Sequence, residues 1–218
     1  MYTVEYVALA GLAVVLSGKR AYRDWKNGEP GEMDFFDLKG ILERMLEGLH
    51  IDGTSYQPAQ HPSFHPGKCA RILVGDTQIG VMGELHPLVA GQFDLPETPL
   101  LAADLALAAI RQVVPGLFGV VPTPSQPPIL EDIALIVDEA IPAAEVEHLI
   151  RQTGGATLTD GRLFDVYRGE QIGAGKKSLA YSLTYQSAER TLTDKDAAQL
   201  RNKIVRRLQN ELGAQLRG

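Results

Sequence analysis

The sequence lacks the features that mark secreted or membrane-spanning proteins. Its 218 residues include a single cysteine, Cys69, which allows no internal disulfide and is typical of a reducing cytoplasm. No stretch approaches the roughly 20 unbroken apolar residues of a membrane span. The apolar run Val7–Leu16 contains Gly11 and has no basic region before it, so it predicts a buried strand within residues 5–17 and not a signal peptide. We therefore expect a cytoplasmic protein that makes no contact with a membrane.

An excess of positive charge is also missing, because the formal net charge is −6. The charge is nevertheless unevenly distributed along the chain. Residues 162–218 carry 11 Lys or Arg and 6 Asp or Glu, whereas residues 113–161 carry 1 and 7. Basic character is therefore concentrated at the end of the chain, where it would attract a phosphate backbone. The composition, with 44% hydrophobic and 22% charged residues, is that of a folded protein of one large or two ordinary domains.

The clearest pattern begins at residue 163. Leu163–Tyr167 predicts a strand, and a turn containing Gly173 and Gly175 leads to a second strand in which large and small residues alternate. The large residues are Leu179, Tyr181, Leu183 and Tyr185, and the small ones are Ser178, Ala180, Ser182 and Thr184. Such alternation predicts a strand that is covered on one face only.

A helix and a short final strand are predicted to follow. Thr193 can cap the helix, and Gly213 is placed to end it. The apolar residues recur at spacings of three and four, at Ala197, Leu200, Ile204, Leu208 and Leu212. Upstream, residues 129–137 predict a strand with Ile133, Leu135 and Val137 on one face, and residues 143–152 predict a helix. The order of elements is then βαββαβ.

The first half of the chain predicts a helix and several strands. Asp34 and Asp37 form a capping-box pattern before an amphipathic helix. Residues 69–74 and 78–85 predict a hairpin around Gly75-Asp76, and residues 100–109 predict a strand that passes into a helix. Gly80 and Gly83 indicate bulges or a close approach of the backbone in the second strand of this hairpin.

Residues 52–68 are rich in Pro, Gly and His and predict a loop. His61 and His65 are four residues apart, a spacing that metal ligands use on a helix. Pro62 and Pro66 follow them directly, however, and prevent a regular helix. Ordinary loop histidines are therefore the better interpretation, and no metal site is predicted.

These residues also carry a resemblance to a known family. The run LFDVYRG…GKKSLAYSLTYQ…RTLTD…GAQLR resembles the anticodon-binding domain of the phenylalanyl-tRNA synthetase beta subunit of bacterial type. The segments DFFDLKG, HPSFHPGKCA, IGVMGELHP and LAADLALAAI are similar to the catalytic-like module of the same family. One departure is Glu131, which stands where family members usually carry arginine.

The resemblance implies an α+β chain with two domains. Residues 1–112 would form part of a class II synthetase-like antiparallel sheet module that is non-catalytic and incomplete at its N-terminus. Residues 113–125 would be a Pro-rich linker, and residues 126–218 a ferredoxin-like βαββαβ sandwich that binds the anticodon. The chain would then be a C-terminal fragment of the beta subunit, with no catalytic residues, metal or cofactor of its own.

The resemblance also implies partners. These are tRNA(Phe) and the alpha subunit, in an alpha2-beta2 assembly that uses ATP and Mg²⁺ to attach phenylalanine to tRNA. A ferredoxin-like sheet leaves one face open, and RNA-recognition domains stack bases on aromatic residues of that face. Alternation and strand ends predict the RNA-binding residues Asp132, Ala134, Arg162, Asp165, Tyr167, Arg168, Lys176, Lys177, Ser178, Ala180 and Ser182. Tyr167 is the candidate for stacking, and the four cations are candidates for phosphate contacts.

Two alternatives remain open at the level of sequence. A ferredoxin-like regulatory module of the ACT type would bind a small amino acid, and its ligand loop would use Gly173 and Gly175. A purely structural role, in which the first module holds the alpha subunit, is the other alternative.

Overall fold

The computed structural model of the chain describes residues 10–22, 25, 28–95, 98–117, 119 and 125–217. The chain forms two compact units, the first unit Met1–Val120 and the second unit Val121–Gly218. Residues 5–9 of the first predicted strand lie outside the described residues, and so do residues 118 and 120–124 of the predicted linker. Within the described ranges, no helix is both long and apolar enough to cross a membrane.

The first unit is built on a five-stranded antiparallel sheet. Its strands are β1 (Gly11–Ser17), β2 (Thr54–Pro58), β3 (Phe64–Val74), β4 (Thr77–Leu85) and β5 (Leu100–Ala106), in the order β1-β5-β4-β3-β2. Its helices are α1 (Phe35–Gly48), α2 (Pro87–Ala90) and α3 (Leu107–Val113). Leu38, Leu42 and Leu46 of α1 are buried in the same core as residues of β3, β4 and β5. The antiparallel sheet agrees with the fold class expected for this half.

Local sequence signals account for most of these elements. The Asp34 side chain accepts hydrogen bonds from the first turn of α1, and the Asp37 side chain accepts one from the Asp34 N–H, so the predicted capping box is confirmed. The predicted hairpin is also confirmed, with Gly75 at a φ of 56° in its turn. The prediction of a loop over residues 52–68 is wrong in part, because β2 and residues 64–68 of β3, which include His65, lie there. Strand β2 is at the edge of the sheet, where Pro58 is tolerated and the demand for β-forming residues is small.

The two glycines of β4 allow its neighbours to approach closely, as predicted. A Cβ atom added to Gly80 would lie 2.5 Å from the Leu105 Cδ2 atom and 2.6 Å from the Asp104 carbonyl oxygen. A Cβ atom on Gly83 would lie 2.6 Å from the Lys68 carbonyl oxygen. Any larger residue at these positions would therefore push β4 away from the strands beside it.

The second unit has the predicted βαββαβ order. Its elements are β6 (Ile129–Asp138), α4 (Ala143–Gly154), β7 (Leu158–Tyr167), β8 (Lys176–Tyr185), α5 (Asp194–Leu212) and β9 (Gln215–Leu216). The sheet is antiparallel in the order β7-β8-β6-β9, and α4 and α5 pack against one of its faces. This is the ferredoxin-like arrangement, and the predicted fold of this half is confirmed.

The ends of α5 follow the sequence signals closely. Thr193 accepts a hydrogen bond from the Asp196 N–H, and Asp196 accepts one from the Thr193 N–H in return. Gly213 ends the helix in the left-handed conformation, at a φ of 64°. Ala197, Ile204 and Leu208 are buried on the face that the periodicity predicted. Because both ends are fixed, the helix delivers the chain to β9 at the edge of the sheet beside β6.

We expect Gly80→Ala to destabilise the protein. The added methyl group overlaps the backbone of β5, and relieving that overlap should cost about 1–3 kcal/mol of unfolding free energy. Gly40→Ala is the matched control, since Gly40 lies within α1 with no atom near its added Cβ. It should stabilise the protein by about 0.5–1 kcal/mol. Urea unfolding followed by circular dichroism measures both effects, and equal stability of the two variants would contradict the close approach at Gly80.

Candidate nucleic-acid interface

The sheet of the second unit presents one face to the helices and leaves the other face uncovered. Ile133, Leu135 and Val137 of β6 are buried on the helix side, together with the four large residues of β8. In antiparallel ladders, residues that are directly opposite each other lie on the same face. We use the name open face for the uncovered side, which comprises Leu130, Asp132, Ala134, Ile136 and Asp138 of β6, Asp160, Arg162, Phe164, Asp165 and Tyr167 of β7, and Lys176, Ser178, Ala180, Ser182 and Thr184 of β8.

Nine of the eleven predicted residues lie on the open face, in rows that cross the sheet. One row joins Asp132, Ser182 and Arg162, and the next joins Ala134, Ala180 and Asp165. The third row joins Ile136, Ser178 and Tyr167. Successive rows are about 7 Å apart, given the rise of a strand. The middle row has only small side chains at its centre and so forms a shallow floor between two rows that carry larger groups.

The structure corrects the expected position of Arg162. The sequence predicted a strand from Leu163, which put Arg162 at a strand end. β7 begins at Leu158 instead, so Arg162 lies within the strand, opposite Ser182. Its guanidinium has no hydrogen bond or ion pair to any residue that the structure describes. It is therefore an available cation of β7, opposite an uncharged stretch of β8.

A bulge in β7 adds an aromatic residue that the alternation did not predict. The ladder shifts between Leu163, which is opposite Tyr181, and Asp165, which is opposite Ala180. Phe164 is the extra residue, and its side chain is 52% exposed. It lines a concavity of about 350 Å³ together with Asp132, Asp160, Arg162, Ser182 and Thr184. The adjacent apolar pair Leu163-Phe164 was the only sequence signal for this departure from strict alternation.

Tyr167 is half-buried, and two contacts fix its ring. A Cβ atom on Gly169 would lie 2.2 Å from the Tyr167 hydroxyl oxygen, so the ring packs directly on the Gly169 backbone. The Arg217 guanidinium lies over the ring, 5.0 Å from its centroid, as a cation–π contact. Arg217 is placed by the chain end, where its N–H donates a hydrogen bond to the Ala134 carbonyl oxygen. Ser178, across the ladder from Tyr167, is only 3% exposed, so its hydroxyl is covered.

Two of the predicted cations, Arg168 and Lys177, do not join the open face, whereas Lys176 lies at its margin. Arg168 makes a two-pronged ion pair with Glu139, and this hydrogen-bonded guanidinium lowers the pKa of the Glu139 carboxyl. Lys177 is opposite Val137 on the helix side, is 8% exposed, and donates to the Glu139 carbonyl oxygen at 2.9 Å. Lys176 is exposed at the end of β8, opposite Asp138. Lys177 was expected at the surface, and the odd position that it occupies in β8 explains why it turns inward.

Glu131 also lies on the helix side. Its carboxylate is 3.5 Å from the Arg201 guanidinium of α5, and it is opposite Leu183 in the ladder. The residue at this position therefore contacts a helix and does not reach the open face. The acidic side chain of Glu131 therefore does not change the composition of the open face.

Carboxylates outnumber free cations on the open face. Asp132 and Asp165 have no ion pair within the described residues, and Asp160 has only a long one of 3.9 Å to Arg151. Among the described residues, the cations that face this side are Arg162, Lys176 and Arg217, against the carboxylates of Asp132, Asp138, Asp160 and Asp165. Such a surface does not attract phosphates strongly, and its carboxylates are suited to accept hydrogen bonds from the amino groups of nucleobases.

Three histidines of the first unit serve as local backbone caps. The Nδ1 atoms of His61, His65 and His86 each accept a hydrogen bond from the backbone N–H two residues later. Nowhere in the described ranges do three or more His, Cys, Asp or Glu residues converge as metal ligands would. Burial raises the pKa of the Cys69 thiol, which disfavours the nucleophilic thiolate.

A second concavity, of about 600 Å³, lies beside the start of α1. Phe35, Phe36, Tyr56 and Pro58 line it, and Phe36 is 73% exposed. Its charged lining residues include Lys68 and Glu84, which are bound to each other at 2.5 Å. The concavity therefore offers apolar contact and not an unpaired acid, base or nucleophile.

Comparison with known proteins assigns each unit to a family. The family model described as ferredoxin-fold anticodon binding domain matches residues 124–217. The family model described as phenylalanyl tRNA synthetase beta chain CLM domain matches residues 8–107. Each model covers most of one of the two units.

Curated relatives match across both units. The phenylalanine–tRNA ligase beta subunit of Clostridium tetani is 42% identical over 191 residues, which are 87% of this chain and 24% of that protein. The subunit from Symbiobacterium thermophilum is 38% identical over 94% of this chain and 23% of its own length. The subunit from Shouchella clausii is 41% identical over 94% of this chain and 25% of its own length. The chain thus spans about a quarter of the length of these relatives.

We expect Gly169→Ala to displace the Tyr167 ring without unfolding the second unit. The backbone at Gly169 is extended, with a φ of −174°, so alanine is allowed there and only the ring must move. Chemical shifts of the Tyr167 ring protons, measured by NMR, should change together with those of Arg217. Gly161→Ala is the control, since its nearest contact would be an ordinary 3.6 Å. Unchanged Tyr167 shifts would contradict the packing of the ring on Gly169.

Proposed function

Because the chain belongs to the family of phenylalanyl-tRNA synthetase beta subunits, we propose that its second unit binds the anticodon region of tRNA(Phe). The unit contributes no chemistry of its own. It serves the ligase as a recognition surface, and the complete enzyme uses ATP and Mg²⁺ for the reaction. The observation that carries the proposal is the open face, where an aromatic ring adjoins a floor of small residues on a ferredoxin-like sheet.

The proposed mode of binding follows from the rows of the open face. A splayed base stacks on the Tyr167 ring and lies over the floor formed by Ala134 and Ala180. The Asp165 carboxylate, in the same row as this floor, accepts hydrogen bonds from donors on the edge of the base. Arg162 and Arg217 supply the cations for phosphate contacts. Recognition then depends on base contacts more than on overall charge.

The structure offers little for the alternative of an ACT-type module. Gly173 and Gly175, the candidates for its ligand loop, have φ values of 89° and 73° in the turn before β8. The Gly175 carbonyl oxygen accepts a hydrogen bond from the Glu139 N–H. Both glycines are therefore explained by the turn itself, and an amino-acid ligand is not needed to account for them.

We also propose that the first unit contributes to holding the alpha subunit, in an alpha2-beta2 assembly in the cytoplasm. The support is exposed apolar surface, of which Phe36, Leu88 and Val15 are examples with exposures of 73%, 75% and 65%. Contiguous apolar patches are typical of surfaces that bind another protein, and Phe36 adjoins Phe35, Tyr56 and Pro58 beside α1. The concavity beside Phe36 provides a place for an apolar side chain of the partner.

We expect Tyr167→Ala to weaken binding of the tRNA(Phe) anticodon stem-loop by about 1–3 kcal/mol, since one stacked base is lost. Tyr167→Phe keeps the ring and should bind within about twofold of the original chain. Fluorescence titration of a labelled stem-loop, with a stem-loop of exchanged anticodon as the control RNA, measures the effect. If Tyr167→Ala binds as tightly as the original chain, the stacking role is wrong.

The salt dependence of the same titration tests the mode of recognition. With Arg162 and Arg217 as the phosphate contacts, log K should fall with log salt at a slope of about −1.4, because each contact to a single strand contributes about −0.7. Discrimination between the two stem-loops should survive at higher salt. A steep slope with loss of discrimination would mean that phosphate attraction alone holds the RNA.

We expect Phe36→Glu to weaken capture of the alpha subunit when the complete beta subunit carries the change. An acidic residue in the first turn of α1 is compatible with the helix dipole, so folding should be preserved. Glu47→Ala, at the exposed far end of the same helix, is the control and should leave assembly intact. Co-purification with a tagged alpha subunit measures the difference, and equal recovery of both variants would remove Phe36 from the proposed surface.

A further inference from the structure

The bulge in β7 exposes a second aromatic ring on the open face. Phe164 is the residue that the ladder skips, and it is 52% exposed although it lies within a strand of the sheet. The bulge returns Leu163 to the helix side, where it packs against the core. Burial of its side chain therefore explains the position of Leu163. Packing in the core does not explain why the Phe164 ring beside it is exposed.

The surroundings of Phe164 have the polarity of a site for a nucleobase. The concavity of about 350 Å³ that it lines is at the small end of the ~300–1,000 Å³ range of ligand pockets. Asp132 and Asp160 supply acceptors, Arg162 supplies donors, and Ser182 and Thr184 supply hydroxyls. Recognition of single-stranded RNA requires an aromatic ring that stacks on the face of a base and polar groups that bind the edge of that base. The concavity contains both.

The position of Phe164 separates it from Tyr167. Phe164 lies between the residues opposite Tyr181 and Ala180, whereas Tyr167 is opposite Ser178. The two residues are therefore on the order of 8 Å apart along the sheet, given the rise of a strand. Stacked bases in one strand are only about 3.4 Å apart. The two rings thus suit two different, unstacked nucleotides and not one continuous stack.

We propose that the bulge forms a second base-binding subsite, in which Phe164 stacks on one unpaired nucleobase of the anticodon loop. The Asp132 and Asp160 carboxylates accept hydrogen bonds from the amino group of that base, and Arg162 contacts its phosphate or its acceptor edge. The subsite rests on the proposed function, since it requires that the open face binds the anticodon region. It adds a second nucleotide to the one assigned to Tyr167.

The test is a comparison of Phe164→Ala with Tyr167→Ala in the full chain, using the tRNA(Phe) anticodon stem-loop. Phe164→Ala should weaken binding by about 5- to 150-fold, the loss expected for one stacked base. Phe164→Tyr should restore most of the affinity. Val166→Ala is the matched control, because Val166 is 40% exposed on the same strand but is opposite Leu179 on the helix side. Circular dichroism and thermal unfolding of each variant show that it is folded.

The outcomes separate the subsite from the proposed function. If the original chain does not bind the stem-loop, both ideas are overturned. If Tyr167→Ala weakens binding while Phe164→Ala behaves like Val166→Ala, the proposed function stands and the subsite is wrong. Losses in both variants, with the control unchanged, support the subsite.

Stem-loops with one abasic nucleotide at each loop position locate the two bases. Phe164→Ala should cause no further loss of affinity for the stem-loop that lacks the base bound by Phe164. Tyr167→Ala should cause no further loss of affinity for a different stem-loop, which lacks the base bound by Tyr167. If the same nucleotide cancels both effects, there is one stacking site and not two.

Asp132→Asn tests recognition of the edge of the base. It should reduce the preference for the original amino-bearing base over uracil at the nucleotide that stacks on Phe164. An unchanged preference would remove Asp132 from the subsite.

Discussion

The strand β8 is the element on which the second unit depends, because it is hydrogen-bonded along its length to β6 on one side and β7 on the other. Its register decides which residues meet the helices and which meet solvent. A slip of one residue would turn Ser178, Ala180 and Ser182 toward the helices and would turn Tyr181 and Leu183 toward the open face. The burial of four large side chains of β8, two of them tyrosines with their rings in the core, excludes that slip. The open face is therefore fixed by the packing on the opposite side of the sheet.

Patterns of fixed period were readable from the sequence, and departures from a period were not. The alternation in β6 and β8 identified the two faces, and the capping residues of α1 and α5 identified where each helix begins. β7 was different, because a strict period of two counted back from Asp165 places Leu163 on the open face and Phe164 in the core. The bulge reverses both assignments. Leucine and phenylalanine are similarly apolar, so the sequence does not tell which of them is buried. The strand pairing in the structure shows that Leu163 is the residue on the helix side.

The charge count along the chain was a poor guide to the charge of the site. Residues 162–218 have an excess of basic residues, yet several of them are used within the fold. Arg201 is paired with Glu131, Arg207 with Glu211, and Lys177 with a backbone carbonyl group. Surface ion pairs of this kind add little stability, but they reduce the positive potential that a phosphate would feel. The open face retains carboxylates instead, which repel phosphates and bind the donor groups of bases. A surface of this composition favours discrimination between bases over tight non-specific binding.

The end of the chain connects the fold with the proposed recognition of a base. Ala214 is buried, β9 pairs with β6, and Arg217 then extends over the Tyr167 ring. An exposed cation–π contact contributes about 0.5–1 kcal/mol, whereas stacking of a base contributes about 1–3 kcal/mol. In the proposed complex, exchange of the guanidinium for a base would therefore be favourable, and it would release the cation for a phosphate contact. Because Gly169 holds the ring from the other side, the ring keeps its orientation during this exchange. Because this region of the sheet is already ordered before binding, less conformational entropy is lost when the base binds.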